Sequence, residues 1–405
     1  MSRFAPADLG ELRDAIAEAL AAEEPLELVA GGSKRDLGRP LQLPHTLDLS
    51  RISGIRDYQP SELVLTAGAA TPLEEIEATL ASARQMLAFE PPDWGPLLGL
   101  PQTAAGRRTL GGALACNLSG SRRIKAGAAR DYFLGFRGVS GRGEVFKAGG
   151  KVVKNVTGYD LCKLMAGSYG TLAALEEVTI KVLPRPETVC TVLLCGLDVG
   201  SSLRCLNRAL GSPHEVSAAA YLPPACAAKL TRLPKQTGVA ALRLEGPAPS
   251  VAFRCERLLG DLAAGYEAAV LEGEDARTFW CGTGNVLPLA GLSNRTVWRV
   301  SVAPSRGAEV SGAIADRLDA VWYLDWGGGL IWAAVAGADD GGAAVIRAAL
   351  RGAGHATLIK GPAALRQAVP VFEPQPAPLA ALAARVKEGF DPRRILNPGR
   401  MVEGV

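Results

Sequence analysis

The sequence predicts an α+β protein of two domains, and three observations carry that expectation. Its 405 residues are too many for one ordinary hydrophobic core, so two domains, each burying its own, are expected. Residues 149–172, GGKVVKNVTGYDLCKLMAGSYGTL, join two glycine turns, a basic strand and a short helix in a unit that few folds use. The pattern then changes at PRPET, residues 184–188. Before it, from residue 104, short strands are punctuated by glycine. After it, strands and helices alternate as in an antiparallel sheet backed by helices. The boundary is therefore set at 185/186, giving domains 1–185 and 186–405.

Taken in order, residues 9–22 show helical periodicity, and ELVAGG at 27–32 reads as a short strand running into a glycine turn. A strand, a polar bend at 58–61 and a strand at 63–67 follow. A helix is then expected from Thr71, which fits an N-cap followed by Pro72 in the first turn and an acidic Glu74. Alternation from 177 to 182 marks a half-buried strand. Beyond the boundary come a strand at 189–195, a helix near 200–210, and AVWYLDWGGGLIWAAV at 320–335, which reads as a hairpin turning at Gly327, Gly328 and Gly329. Its Trp322, Trp326 and Trp332 fit core and cross-strand packing, with a pocket wall as the alternative.

Composition narrows the function. The 48% hydrophobic content with 47 Gly and 27 Pro suits a compact, turn-rich protein. Forty-four basic against 41 acidic residues give a net charge of +3, too balanced for nucleic acid or an anionic membrane as the main partner. Arg107 and Arg108, Arg122 and Arg123, and Lys151 and Lys154 nevertheless flank the glycine-rich segments, where an anionic ligand would benefit from them. The first residues form an acidic amphipathic helix rather than a signal core, and no apolar stretch approaches the ~20 residues of a membrane helix. At most peripheral membrane association and a cytoplasmic location are expected. The eight cysteines lack metal or cluster spacing, and His45, His214 and His355 lie far apart, so no metal site is expected.

A dinucleotide needs its pyrophosphate met by backbone N–H groups, and small residues let the main chain approach. Two turns offer this: Ala30, Gly31, Gly32, Ser33 and Lys34 after the first buried strand, and Thr109, Leu110, Gly111, Gly112 and Ala113. Either alone is a weak signal, since Gly-Gly usually only reverses a chain. Neither the GxGxxG spacing nor a GxxxxGK[ST] loop occurs, which disfavours NAD and ATP, and no GxSxG or HExxH motif supports hydrolase chemistry.

Together with TLGGALACN (109–117) and FDPRRILNPGRM (390–401), the segment 149–172 resembles the flavin-dependent oxidases of the vanillyl-alcohol oxidase and p-cresol methylhydroxylase type. Within them it is similar to the FAD-binding E subunits of bacterial glycolate oxidase. The WGG hairpin and HATLIKGP (355–362) extend the resemblance over both halves.

That resemblance implies the family's two-domain fold and a non-covalent FAD. It places the pyrophosphate turn at Ala30 to Lys34, with alanine in place of the family's first glycine. It places a second stretch of contacts from Thr109 to Ala115, and Gly120 where the backbone passes near the flavin ring. GSYGTL matches the family's GSEGTLG, so Gly170 is expected to approach the ADP portion and Leu175 to pack by adenine, strand core being the alternative for the latter. The terminal segment 390–401 is expected to return to the flavin domain, with Asn397 and Arg400 as candidates; helix-ending turns explain the same motif without a ligand. Arg130 and Asp131 read as a structural pair. Cys116 falls where the family usually has a small residue, and no attachment histidine is present.

Members that oxidise 2-hydroxy acids directly carry a histidine and glutamate cluster in the second domain, and none is found here. No catalytic residue is assigned. The resemblance therefore implies a subunit of a complex oxidising glycolate, a small 2-hydroxy acid, to glyoxylate, working with a catalytic flavoprotein subunit and an iron–sulfur subunit. A stand-alone FAD-dependent 2-hydroxy acid dehydrogenase and a flavin-free scaffold are the alternatives.

Overall fold

The computed structural model describes residues 2–101, 107–151, 158–231, 237–263 and 265–404. The opening helix spans Leu9–Ala22, capped by Asp8, whose carboxylate accepts from Glu11 N–H. Its buried Leu12, Ile16 and Ala19 pack on a small parallel sheet ordered Ser2–Phe4, His45–Asp48, Leu26–Val29. The C-terminal segment docks on the same sheet: Leu26 N–H donates to Ile395 O at 2.7 Å, and Asn397 N–H to Leu26 O at 3.0 Å.

A second sheet, antiparallel throughout, runs Ile55–Gln59, Val64–Gly68, Ala173–Lys181, Phe133–Ser140, Val145–Gly149. The helix after Val64–Gly68 begins at Leu73, not Thr71, and its N-cap is Pro72 without a side-chain bond. The Thr71 hydroxyl donates to Gly68 O at 2.7 Å, and its carbonyl accepts from Leu110 N–H at 3.0 Å. The residue expected as a cap thus ties the sheet to the helix Leu110–Ala115. The basic strand expected after Gly150 falls largely on residues 152–157, outside the described residues; the short helix after it is Leu161–Met165.

Every strand from Thr188 onward belongs to one antiparallel sheet, ordered Glu267–Glu272, Thr188–Cys195, Val239–Gly246, Ala218–Leu222, Asp319–Asp325, Leu330–Ala336, Thr296–Ser301, His355–Lys360. Helices Val199–Leu210, Ala248–Leu262, Gly307–Ala315 and Ala343–Leu350 cover one face, which Val192, Leu194, Leu242 and Trp298 enter. The opposite face, carrying Leu193, Ala241, Tyr323 and Trp332, packs on Leu37, Trp94, Leu97 and Leu118 from the first half and on the helix Gly273–Gly284. The expected sheet backed by helices is covered on both faces, which explains why its central strands are apolar runs rather than alternations. Trp332 is core. Trp298 and Tyr323 are fully buried and keep their polar tips satisfied, on Gly341 O at 2.7 Å and Thr283 O at 2.8 Å.

Candidate functional site: a glycine-walled cleft

Between the parallel sheet, the helix Leu110–Ala115 and the C-terminal segment lies a cleft of about 810 Å³, its solvent-open mouth included. It gathers segments far apart in sequence. From the first turn come Ala30, Gly31, Gly32, Ser33 and Lys34; from the second, Thr109, Gly111, Gly112 and Ala115; from the strand Ala173–Lys181 and the turn before it, Leu175 and Gly170; and from the terminus, Asn397 and Arg400.

Two expected residues lie elsewhere. Leu110 is fully buried in the core of the five-stranded sheet, because the first side chain of its helix points inward, away from the cleft. Gly120 lines a second cavity with Glu90, Ser121 and Arg243. There Gly120 N–H donates to Phe89 O at 2.9 Å, and its carbonyl accepts from Trp326 Nε1 at 3.1 Å. Leu28, Ala69, Ala70, Cys116 and Tyr169 also line the cleft without having been singled out as contacts. The small-residue run AGAAT, 67–71, was the available signal for two of them.

The first turn has the electrostatics of an anion cradle. Among the described residues, no protein acceptor takes an N–H from Ala30, Gly31, Gly32, Ser33 or Lys34. Five successive amides on a cleft wall without protein partners are available to an anion. Gly31 must be glycine here, since a Cβ would sit 2.1 Å from Arg107 O, and Gly32 has φ +76°. Lys34 Nζ touches Ser33 Oγ at 3.0 Å, and no carboxylate among the described residues lies within ion-pair distance. Burial lowers its pKa, so the site favours an arriving negative charge. Arg107 adds to the lining. These features fit a pyrophosphate.

The C-terminal part of the lining is held by side chains that spend their polar atoms on the protein. Arg400 donates to Arg35 O at 2.7 Å and Leu37 O at 3.3 Å, and pairs with Glu27 at 3.1 Å. Arg35 also pairs with Glu27. Asn397, left-handed at φ 43°, accepts from Leu28 N–H at 2.9 Å and donates to Tyr169 O at 2.8 Å. Asn397 therefore shapes the cleft through its neighbours. Asn397→Ala leaves two backbone groups without partners and should cost about 1–3 kcal/mol. Urea unfolding should show a lower midpoint at unchanged slope.

Cys116 is a cleft residue, but burial pushes its thiol up to about 11, which keeps it protonated and a poor nucleophile. Gly170, at φ +69°, lies so close to Asn397 that a Cβ would be 2.9 Å from Nδ2. Arg130 and Asp131 form a largely exposed pair at 3.7 Å. His214 is held by Asp261 at 2.9 Å and His45 pairs with Glu24. Among the described residues, no three His, Cys, Asp or Glu side chains group to hold a metal, and no helix is long and apolar enough to cross a membrane.

Comparison with known proteins agrees with this geometry. Residues 3–149 match the family model described as FAD binding domain. Glycolate oxidase subunit GlcE of Escherichia coli strain K12 is 34% identical over 390 residues, 96% of each chain. Glycolate oxidase subunit GlcD of Bacillus subtilis strain 168 is 44% identical over 85 residues, 21% of this chain and 18% of its own. Among solved structures, 4-ethylphenol oxidase from Gulosibacter chungangensis superposes with a TM-score of 0.71 at 14% identity, covering 99% of this chain and 89% of that one. p-Cresol methylhydroxylase does so at 0.70 and 14%, covering 99% and 88%. The fold is thus of the p-cresol methylhydroxylase type, the cofactor is FAD, and the chain belongs to the family of glycolate oxidase subunit GlcE.

Proposed function

We propose that this chain is the FAD-binding subunit of a glycolate oxidase complex, oxidising glycolate to glyoxylate with a catalytic flavoprotein subunit and an iron–sulfur subunit. The observation that carries the reading is the cradle of five unpartnered amides beside Lys34, in a chain that matches GlcE along almost its whole length. Ala30 to Lys34 receive the pyrophosphate; Thr109, Gly111, Gly112 and Ala115 form the facing wall; Gly170 and Leu175 border the adenine end. When bound, FAD supplies the redox chemistry, and the protein supplies binding, orientation and tuning. The high thiol pKa of Cys116 supports non-covalent attachment. The chain divides near 185/186, where strands leave the smaller sheets for the eight-stranded one. Its place is the cytoplasm, touching the inner face of a membrane only through the complex.

With no histidine and glutamate cluster among its described residues, the isolated chain should hold FAD yet leave it oxidised when mixed anaerobically with glycolate. Reconstitution with both partners should restore reduction. Stopped-flow absorbance reads this directly: flavin bleaching at a catalytic rate in the chain alone would mark an autonomous 2-hydroxy acid dehydrogenase, and no flavin in the assembled complex would mark a scaffold.

A further inference from the structure

Two arginines converge on one indole away from the amide cradle. Arg123 opens the short helix Arg123–Ala126 and Arg299 lies on the strand Thr296–Ser301; their guanidinium carbons sit 4.5 and 5.0 Å from the Trp326 ring centroid. Among the described residues, neither guanidinium has a carboxylate within ion-pair distance or a hydrogen-bond acceptor. Of the neighbouring carboxylates, Asp325 is already engaged by Ser121 Oγ and by Trp326 N–H, each at 2.7 Å, and Asp131, whose charge Arg123 feels, pairs with Arg130 at 3.7 Å and accepts from Ala128 N–H at 2.8 Å. Arg243, by contrast, is answered by Glu90 at 2.9 and 3.0 Å.

Placing two like charges together without a counter-ion is unfavourable, and burial together with the charge of Arg123 pushes Arg299 down to about 10. Attraction to the indole face offsets part of this but leaves both N–H forks unsatisfied. Neither arginine falls in the fully buried class. The pair also adjoins the flavin side of the protein: Tyr169, a cleft residue, feels the charge of Arg299, and Trp326 is tied to Gly120.

We propose that Arg123 and Arg299 form a binding site in this chain for the carboxylate of a small 2-hydroxy or 2-oxo acid. This deepens the reading above, on which the choice of acid rests. The guanidinium fork matches a carboxylate in two parallel hydrogen bonds. The Trp326 indole, itself buried, backs the two guanidiniums with apolar surface, a setting that suits an organic carboxylate better than a strongly hydrated inorganic phosphate. Recognition here requires no proton-abstracting cluster, so the site binds the acid without oxidising it.

Titration calorimetry on the purified chain, with and without FAD, tests this using glycolate, redox-inert oxalate, neutral glycolamide and inorganic phosphate. Saturable binding of glycolate and oxalate but not glycolamide is expected, with phosphate weaker. Arg299→Gln and, separately, Arg123→Gln should weaken it by about ten- to a hundredfold, with FAD content and melting profile near wild type. No saturable heat, tighter binding of phosphate, or full affinity retained in both well-folded variants would overturn the site. FAD content and assembly with the partner subunits, measured on the same preparations, report separately on the subunit reading.

Discussion

Gly112→Val should abolish FAD binding while leaving the apo-protein's melting midpoint near wild type. The atoms nearest a Cβ at Gly112 belong to side chains, Thr109 Oγ1 at 3.0 Å and Lys34 Cδ at 3.4 Å, so the new branches should fill the cleft rather than strike the main chain. The Gly112 backbone is not left-handed, so valine brings no strain of that kind. Loss of FAD removes its linkage stabilisation, about 3–4 kcal/mol at 100 to 1,000 times Kd. Gly111→Val is the contrasting control, because its Cβ would lie 2.7 Å from Ala69 O and must displace backbone. That variant should lose about 1–3 kcal/mol in the apo state as well. Melting curves with and without FAD separate the two; an equal drop in apo and holo stability for Gly112→Val would make that glycine purely structural.

Asp391→Ala should be the most destabilising single change in the C-terminal segment, by about 3–5 kcal/mol. Asp391 is fully buried against Lys387, 2.6 Å away, and accepts from Ile395 and Leu396 N–H, each at 2.8 Å. Lys387 also donates to Thr171 O at 2.7 Å and Leu396 O at 3.0 Å, pinning the terminus to the turn that borders the cleft. Removing the carboxylate strands a buried ammonium whose pKa burial already lowers. With the folded-state pKa below the unfolded value, the unfolded chain binds more protons, so stability rises with pH. The deficit of Asp391→Ala should therefore narrow as pH approaches the ordinary lysine value of 10.5. Adding Lys387→Met should recover part of the loss at neutral pH. Chemical denaturation across pH checks both, and a pH-independent deficit that the second change deepens would point to packing alone.

What could be read in advance follows from how local each signal is. Gly31, Gly32, Gly111 and Gly112 announce themselves as glycine pairs at turns, whereas the close approaches that demand glycine at Gly31 and Gly111, to Arg107 O and Ala69 O, are set by segments distant in sequence. Motif adjacency does not tell which side of a helix's first turn faces the cleft, so it could not show that the Leu110 side chain enters the core. Asn397 was found through a terminal motif, yet its role as a brace between Leu28 and Tyr169 depends on partners 369 and 228 positions away. Lys387 and Asp391 have the spacing of an ordinary solvated helix pair; only docking of the segment after them makes the pair buried. Arg123, Arg299 and Trp326 come from three separate elements, and no spacing rule links them. The apolar runs of the large sheet were legible as strands, but their second covered face was not, because its cover is supplied by the first half of the chain.

The central claim is most directly tested by acid precipitation of the chain purified after cofactor-replete expression, followed by identification and quantification of the released flavin against protein. One FAD per chain in the supernatant over a colourless pellet is the predicted result. A colourless native protein, or a yellow pellet that retains its flavin, would contradict it.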